Sequence, residues 1–363
     1  MASGAGTMLF RVLVFSAIAT VSVALQPRFN CSSTSKCRSL IDYIPPNATT
    51  IAAVQSLFQV KHFLSFLGAN NLPTNTSPSL PLPASQKIKI PFNCKCTNGT
   101  GLSDKRPIYK VQSGDSLDKI AEITFARLVT FQQIATANRI PDPSKIEVGQ
   151  ELWIPLPCSC DEVDGNRVVH YGHLVETGSS VSAIAGRYNV SEETILKLNG
   201  IADARSLQAS QVLDIPLRAC SSVIREDSID FPFLLSNDTY DYTANNCVLC
   251  QCDAAKNFVL DCKPSQLNPS SLKSSNWSSC PAMACEGSSF LMGNSRSSGC
   301  NTTTCAYAGF SKQTIFTNIS TLNTCPGPAD NPNGASRTGS EGLNLAYLVA
   351  FTHVLVFGLL LIQ

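Results

Sequence analysis

The feature that most restricts this chain is an internal repeat. Tyr109–Ala121 aligns with His173–Ala185, Ile134–Asn138 with Ile195–Asn199, and Gly149–Pro155 with Ser210–Pro216. The offset is 64 residues early (109 to 173) and 61 late (149 to 210), so the earlier copy carries three extra residues between its central segments. Such a period implies one supersecondary unit used more than once, each copy too small to bury its apolar face alone.

Each copy reads strand, helix, helix, strand. Gly114 suits the turn after the first strand because glycine tolerates positive φ, and Asp115 is placed to cap the helix that follows. Leu117, Ile120 and Ala121 recur at i, i+3 and i+4, one apolar helix face. Thr130 and Gln133 have the spacing of a capping box, and Phe131, Ile134 and Ala135 form the second helix's buried stripe. Pro141 and Pro143 enforce a loop. Leu152 and Ile154 form the closing strand, which ends at Pro155. A diverged copy lies upstream, with Phe63–Asn70 as its second helix and Ile88–Pro91 as its closing strand. Its first loop, Pro45–Thr50, lacks the Gly-Asp turn, and its second, Leu72–Ser85, is long and rich in Pro and Ser.

The ends of the chain point outside the cell. Arg11 precedes an apolar run, Val12–Ala24, with small residues at Ser22 and Ala24. Residues 1–24 read as a signal peptide, the run being short for a membrane span. Nine Asn-x-Ser/Thr acceptors follow, at Asn30, Asn47, Asn75, Asn98, Asn189, Asn237, Asn276, Asn301 and Asn318, as in a glycosylated ectodomain. At the far end Asn333, Gly334 and Ala335 precede a polar spacer and an apolar tail, Leu345–Ile362, with no Lys or Arg beyond it. That order matches a GPI-attachment signal with Asn333 as the attachment residue and 334–363 removed; the alternative is a transmembrane helix ending flush with the bilayer. A net charge of +1 argues against a nucleic-acid partner.

Sixteen cysteines suit an oxidising compartment. The Cys-x-Cys pairs, Cys94/Cys96 and Cys158/Cys160, could hold a metal or form disulfides. Against a metal, no second Cys/His pair sits at finger spacing, and no metal or cofactor is expected. Fifteen pairings are open to the first six cysteines. The later ten, from Cys220 to Cys325, lie in a Ser/Asn-rich stretch expected to be a small disulfide-held domain with little core.

Tyr-x-Val-x-x-Gly-Asp-Ser-Leu from Tyr109, an Asn near the second helix, and Val-Gly-Gln-x-Leu-x-Ile-Pro from Val148 resemble the LysM module. With the Cys-x-Cys separators, the whole resembles the three-LysM ectodomains of plant receptors over roughly Cys31 to Cys325. The implied fold is α+β, three tandem disulfide-linked βααβ LysM modules and a small cysteine-rich domain. Its segments are 25–96, 97–160, 161–220 and 221–328, with 329–333 leading to the lipid site. The resemblance also implies the pairs Cys31–Cys96, Cys37–Cys160 and Cys94–Cys158. It further implies binding of chitin oligosaccharides and no enzymatic activity.

An N-acetylglucosamine strand has apolar ring faces, acetamide groups and no charge. A shallow groove of backbone polar groups and small apolar side chains suits it. By resemblance the central groove lies between Gly114, Asp115, Ser116 and Leu117 on one wall and Pro141, Asp142, Pro143, Ser144, Lys145 and Ile146 on the other, with Ile146 packing on the sugar. The third module offers Gly178, Ser179, Ser180 and Val181 opposite Ile201 and Ala202, expected to bind weakly or only to support the lobe. A long polymer would bridge two receptors into a homodimer. A lipid-anchored chain would need a separate LysM receptor-like kinase to signal. Two other readings stand beside this: a peptidoglycan receptor, and a wall hydrolase targeted by LysM modules. The second requires paired carboxylates or a nucleophile with its base, and none stands out between Ser221 and Cys325.

Overall fold

The computed structural model describes residues 29–32, 34–267, 277–285, 287 and 290–323, with the side chains of 322 and 323 excepted. The expected signal peptide, lipid-attachment region, Asn276 and Cys325 lie outside these residues. Among the described residues, no helix is long and apolar enough to cross a membrane.

Three strand–helix–helix–strand units follow one another. The first comprises Ser35–Tyr43, Ile51–Leu57, Phe63–Ala69 and Ile88–Thr97; the second Ile108–Lys110, Leu117–Lys119 continued by the π-helical Ile120–Thr124, Phe131–Ala137 and Glu151–Trp153; the third Val168–Leu174, Val181–Tyr188, Glu192–Leu198 and Val212–Cys220. The capping box forms as expected, with Gln133 N donating to Thr130 Oγ1 at 3.2 Å and Thr130 N donating to Gln133 Oε1 at 2.8 Å. The three extra residues of the second unit fall between its helices. There Ala126 and Arg127 take positive φ, and Phe125 N reaches back five residues to Ile120 O at 3.0 Å.

One device recurs in every unit. An asparagine ending the second helix turns its amide across to the closing strand. In the second unit Asn138 Nδ2 donates to Ile134 O at 2.8 Å and Trp153 O at 2.7 Å, and its Oδ1 accepts Trp153 N at 2.8 Å. Asn199 does the same with Ile195 and Asp214, at 2.8, 2.9 and 2.7 Å. In the first unit Asn70 does so with Phe66 and Lys89, at 2.9, 2.8 and 2.8 Å. Each amide bonds a carbonyl of the helix's last turn and both backbone groups of one strand residue at once.

The units do not keep separate cores. The first strand, Ser35–Tyr43, pairs antiparallel with Ile88–Thr97 and parallel with Val168–Leu174 through Leu40↔Tyr171 and Ile41↔Gly172. The first and third units therefore share one sheet. Gly172 permits this approach, since a Cβ there would sit 2.8 Å from Ile41 Cγ1. The first and second units share an apolar cluster through a chain of edge-on rings, Tyr43–Phe58 at 4.9 Å, Phe58–Phe125 at 5.6 Å and Tyr109–Phe125 at 5.8 Å.

Three disulfides cross this lobe, Cys31–Cys96, Cys37–Cys160 and Cys94–Cys158, the pairs named above from the resemblance. Bridges that close loops of 65, 123 and 64 residues restrict the unfolded chain strongly, by roughly 2–4 kcal/mol each. The sulfurs of Cys37, Cys94 and Cys160 lie within 4.8 Å of one another, but each is committed to a bridge.

The cysteine-rich segment has more core than its composition suggests. Two three-stranded sheets, Thr239–Thr243/Val248–Cys252/Asp261–Pro264 and Ser295–Ser298/Asn301–Phe310/Ile315–Asn323, enclose Phe233, Val248, Leu260, Trp277, Met292, Tyr307 and Phe310. Among the described residues, four more disulfides line it, Cys220–Cys252, Cys247–Cys280, Cys250–Cys262 and Cys285–Cys305. The cystine sulfurs themselves supply the apolar volume that scarce Leu and Ile would otherwise fill.

Candidate functional site

The two loops expected to form the central groove meet at one end of a two-stranded sheet. Ile108–Lys110 pairs with Glu151–Trp153, and the pairing runs one step further. Val111 N donates to Gln150 O and Gly149 N donates to Val111 O, both at 2.9 Å. The first loop thus departs at Gln112 beside the point where the second loop arrives at Gly149.

The first loop is held by its own carboxylate. Asp115 Oδ2 accepts from Gln112 N and from the Tyr109 hydroxyl, both at 2.8 Å, while Asp115 N donates to Gln112 O at 3.2 Å. Burial, then the Asp115 hydrogen bond and charge, push the Tyr109 phenol up to about 12. With Asp115 engaged inward, the helix cap passes to Ser116, whose Oγ accepts Lys119 N at 3.1 Å. The expectation that Asp115 caps the helix is therefore corrected by one residue. Gly114 stands at φ +81° with nothing within 4 Å of a would-be Cβ.

The second loop is held in a similar way. Asp142 Oδ1 accepts from Ser144 Oγ at 2.6 Å and Ser144 N at 3.1 Å, and Lys145 Nζ lies 3.3 Å from Asp142 Oδ2. The Ser144 hydroxyl and backbone, then Lys145, hold the Asp142 carboxyl below its ordinary value. This exposed pair adds little stability, but it neutralises the lysine beside the groove.

What the loops present is mostly small and polar, with Lys145 the exposed cation and Asp142 beside it. Gly114, Ser116, Pro141, Pro143, Ser144 and Lys145 are exposed, and Asp115 and Asp142 are half-exposed. Ile146 is half-buried, one side packed on the core shared by the first two units. Among the described residues, the N–H groups of Gly114, Ser116 and Ile146 have no protein acceptor. Leu117 is different. It is 1% exposed and lies inside the core with Ile120 and Ala121, so its side chain forms no wall of the groove. Val181 in the third unit is buried to the same degree, and the same correction applies. Both sit on the apolar helix stripe that the i, i+3, i+4 spacing marks.

The third unit repeats the arrangement with fewer ties in its first loop. Val175 N donates to Gln211 O at 2.9 Å and Ser210 N to Val175 O at 2.8 Å. Gly178 stands at φ +82°, and Ser180 caps the helix by accepting Ala183 N at 3.1 Å. Ser179 replaces Asp115, so no carboxylate pins this turn. Ile201 is half-buried and Ala202 exposed. Asp203 Oδ1 accepts Arg205 N at 2.9 Å, the counterpart of the Asp142 turn. Two further residues belong to these surfaces. Leu207, half-buried, occupies the position of Ile146 and emerges once the repeat is aligned onward from Ile201. Val148 is 70% exposed on the second unit's rim, inside the Val-Gly-Gln motif.

Both indole N–H groups are engaged by the fold. Trp153 Nε1 donates to Ser103 Oγ at 3.2 Å, and Trp277 Nε1 to Lys312 O at 2.6 Å. Of the glycosylation acceptors, Asn30, Asn47, Asn75, Asn98, Asn189, Asn301 and Asn318 are exposed. Asn237 is occupied by the fold, its Nδ2 donating to Asp238 Oδ2 at 2.8 Å and its Oδ1 accepting Ala254 N at 2.6 Å.

The LysM domain profile matches residues 109–155 and 173–216, the second and third units. The chain is 46% identical over 337 residues to LysM domain-containing GPI-anchored protein 2 of Arabidopsis thaliana, covering 92% of this chain and 93% of that protein. It is 41% identical over 317 residues to the chitin elicitor-binding protein of Oryza sativa subsp. japonica, covering 86% and 84%. A crystal structure of the ectodomain of a receptor-like kinase aligns at 19% identity with a TM-score of 0.42, over 51% of this chain and 94% of that one.

Proposed function

The chain belongs to the plant LysM domain-containing GPI-anchored proteins, and from that premise we propose that it is a cell-surface pattern-recognition receptor for chitin oligosaccharides. The central unit, 97–160, is its main glycan-binding module. The third, 161–220, is a weaker one, and the first, 25–96, is a diverged LysM module that organises the lobe. The recurring asparagine at Asn70, Asn138 and Asn199 supports counting the first unit with the other two. The chain is held at the extracellular face of the plasma membrane by a lipid attached at Asn333.

What supports this reading is that the loops carrying Gly114–Ser116 and Pro141–Ile146 leave the same end of the Ile108–Lys110/Glu151–Trp153 ribbon. Asp142 and Lys145 pair within the second loop, Asp115 is hydrogen-bonded within the first, backbone N–H groups are free to donate, and apolar surface comes from Pro141, Pro143 and one side of Ile146. That chemistry suits an acetamido sugar and offers nothing to a charged ligand. The 41% identity to a chitin elicitor-binding protein favours chitin over peptidoglycan.

A shallow groove binds one short oligomer weakly, so a long polymer spanning two copies gains by effective concentration. A LysM receptor kinase, recruited to the bridged pair, carries the signal across the membrane for innate immunity. The protein has a binding role, not a catalytic one. Parallel titrations with chitin oligomers and with peptidoglycan fragments, followed by analysis of the products, test this. Saturable binding of intact chitin oligomers is the expected result. Preference for peptidoglycan, or the appearance of shortened sugars, contradicts it.

A further inference from the structure

Two depressions meet beside the central groove. One, of about 480 Å³, runs along Gln132, Thr136 and Arg139 to the groove's own Ile140, Pro141 and Pro143. The other, of about 540 Å³, lies between the second and third units, with Gln132 again on one side and Ser206 and Gln208–Gln211 on the other. Gln132 borders both, so the two depressions adjoin at this side chain, one reaching the second loop of the central unit and the other the second loop of the third.

The lining is amide-rich and balanced in charge. Glu122 and Arg127 pair at 3.4 Å, and Asp118 and Arg139 add one charge of each sign. Gln132 and Gln208 are exposed, and among the described residues their side-chain amides have no protein partner. The half-buried Phe131 ring and Ala209 add small apolar surface. An ionic ligand finds no net field here, whereas acetamide groups find amides to exchange hydrogen bonds with.

We propose that this trough is a second stretch of the glycan path, carrying a neutral N-acetylated amino-sugar polymer from the central groove to the third unit of the same chain. The inference rests on the chitin reading above and adds that one chain engages two units at once. Part of the preference for long oligomers then arises within a single receptor, before any second copy is bridged.

The test uses the full-length protein and the variant Gln132→Glu/Gln208→Glu, whose side chains are isosteric with the originals and exposed. N-acetylglucosamine trimer and octamer are titrated calorimetrically at ligand excess, and sedimentation confirms one octamer per chain. In the wild type the octamer binds roughly tenfold or more tighter than the trimer, and in the variant trimer affinity is unchanged while this advantage shrinks to about threefold or less. A variant that keeps the full octamer advantage overturns the trough. So does a wild type that binds trimer in an Ile146-dependent way but shows no octamer advantage at one-to-one stoichiometry. A wild type that binds neither oligomer removes the groove reading itself, and the trough with it.

Discussion

Asn138 holds both backbone groups of Trp153, accepting its N–H at 2.8 Å and donating to its carbonyl at 2.7 Å. The pair sits 15 residues apart in sequence and fastens the second helix to the closing strand just where the groove's second loop begins. Asn138→Ala removes three hydrogen bonds and leaves two strand groups short of partners. It is expected to destabilise the lobe by about 2–3 kcal/mol. Chemical denaturation of the variant with its disulfides intact measures this.

The cysteine-rich segment docks on the first unit through a glycine. A Cβ on Gly68 would lie 1.8 Å from Tyr240 O, where Ser65 Oγ donates to Asp241 Oδ1 at 2.6 Å and Arg38 pairs with the same carboxylate. Gly68→Ala forces the two surfaces apart and is expected to cost about 1–3 kcal/mol. Limited proteolysis should cut the variant between the third unit and the cysteine-rich segment faster than the wild type.

His170 makes the third unit sensitive to pH. It is buried, with Nδ1 2.9 Å from both Asp214 carboxylate oxygens and Nε2 2.8 Å from the Asp161 carbonyl. A carbonyl only accepts, so Nε2 carries a proton, and Nδ1 facing a carboxylate carries another. Burial opposes this charge, but the Asp214 charge and hydrogen bond, with Asp161, outweigh it and raise the pKa. A raised folded-state pKa gives stability that is fully present below the ordinary histidine value, about 6.5, and is lost as pH rises through the folded value. Thermal unfolding should therefore show a drop in stability on the alkaline side, and His170→Gln should flatten it.

Much of this was legible from short-range signals. The capping box at Thr130 and Gln133 and the helix faces at Ile120 and Ile134 are local patterns, and they formed as the spacing implies. The cap at Ser116 was missed by one residue because Asp115 and Ser116 are both good caps. The choice depended on Tyr109, six residues away in sequence and adjacent only in the folded hairpin. Leu117 and Val181 carried two competing signals, motif and stripe, and burial followed the stripe. The parallel pairing of Leu40 with Tyr171 has no local signature, since it joins strands whose intervening chain is an entire unit. The core of the cysteine-rich segment was hidden because composition counts Cys as spacing, not as packed volume.

The central claim is that Ile146 and the turn at Gly114 form one face for an acetamido sugar. The most direct measurement is the affinity of N-acetylglucosamine trimer for the wild type and for Ile146→Ala, with thermal unfolding showing that both are folded. Removing the exposed side of one isoleucine is expected to cost about 1–2 kcal/mol of binding, roughly a five- to thirtyfold loss in affinity. A folded variant that binds the trimer as tightly as the wild type contradicts the account.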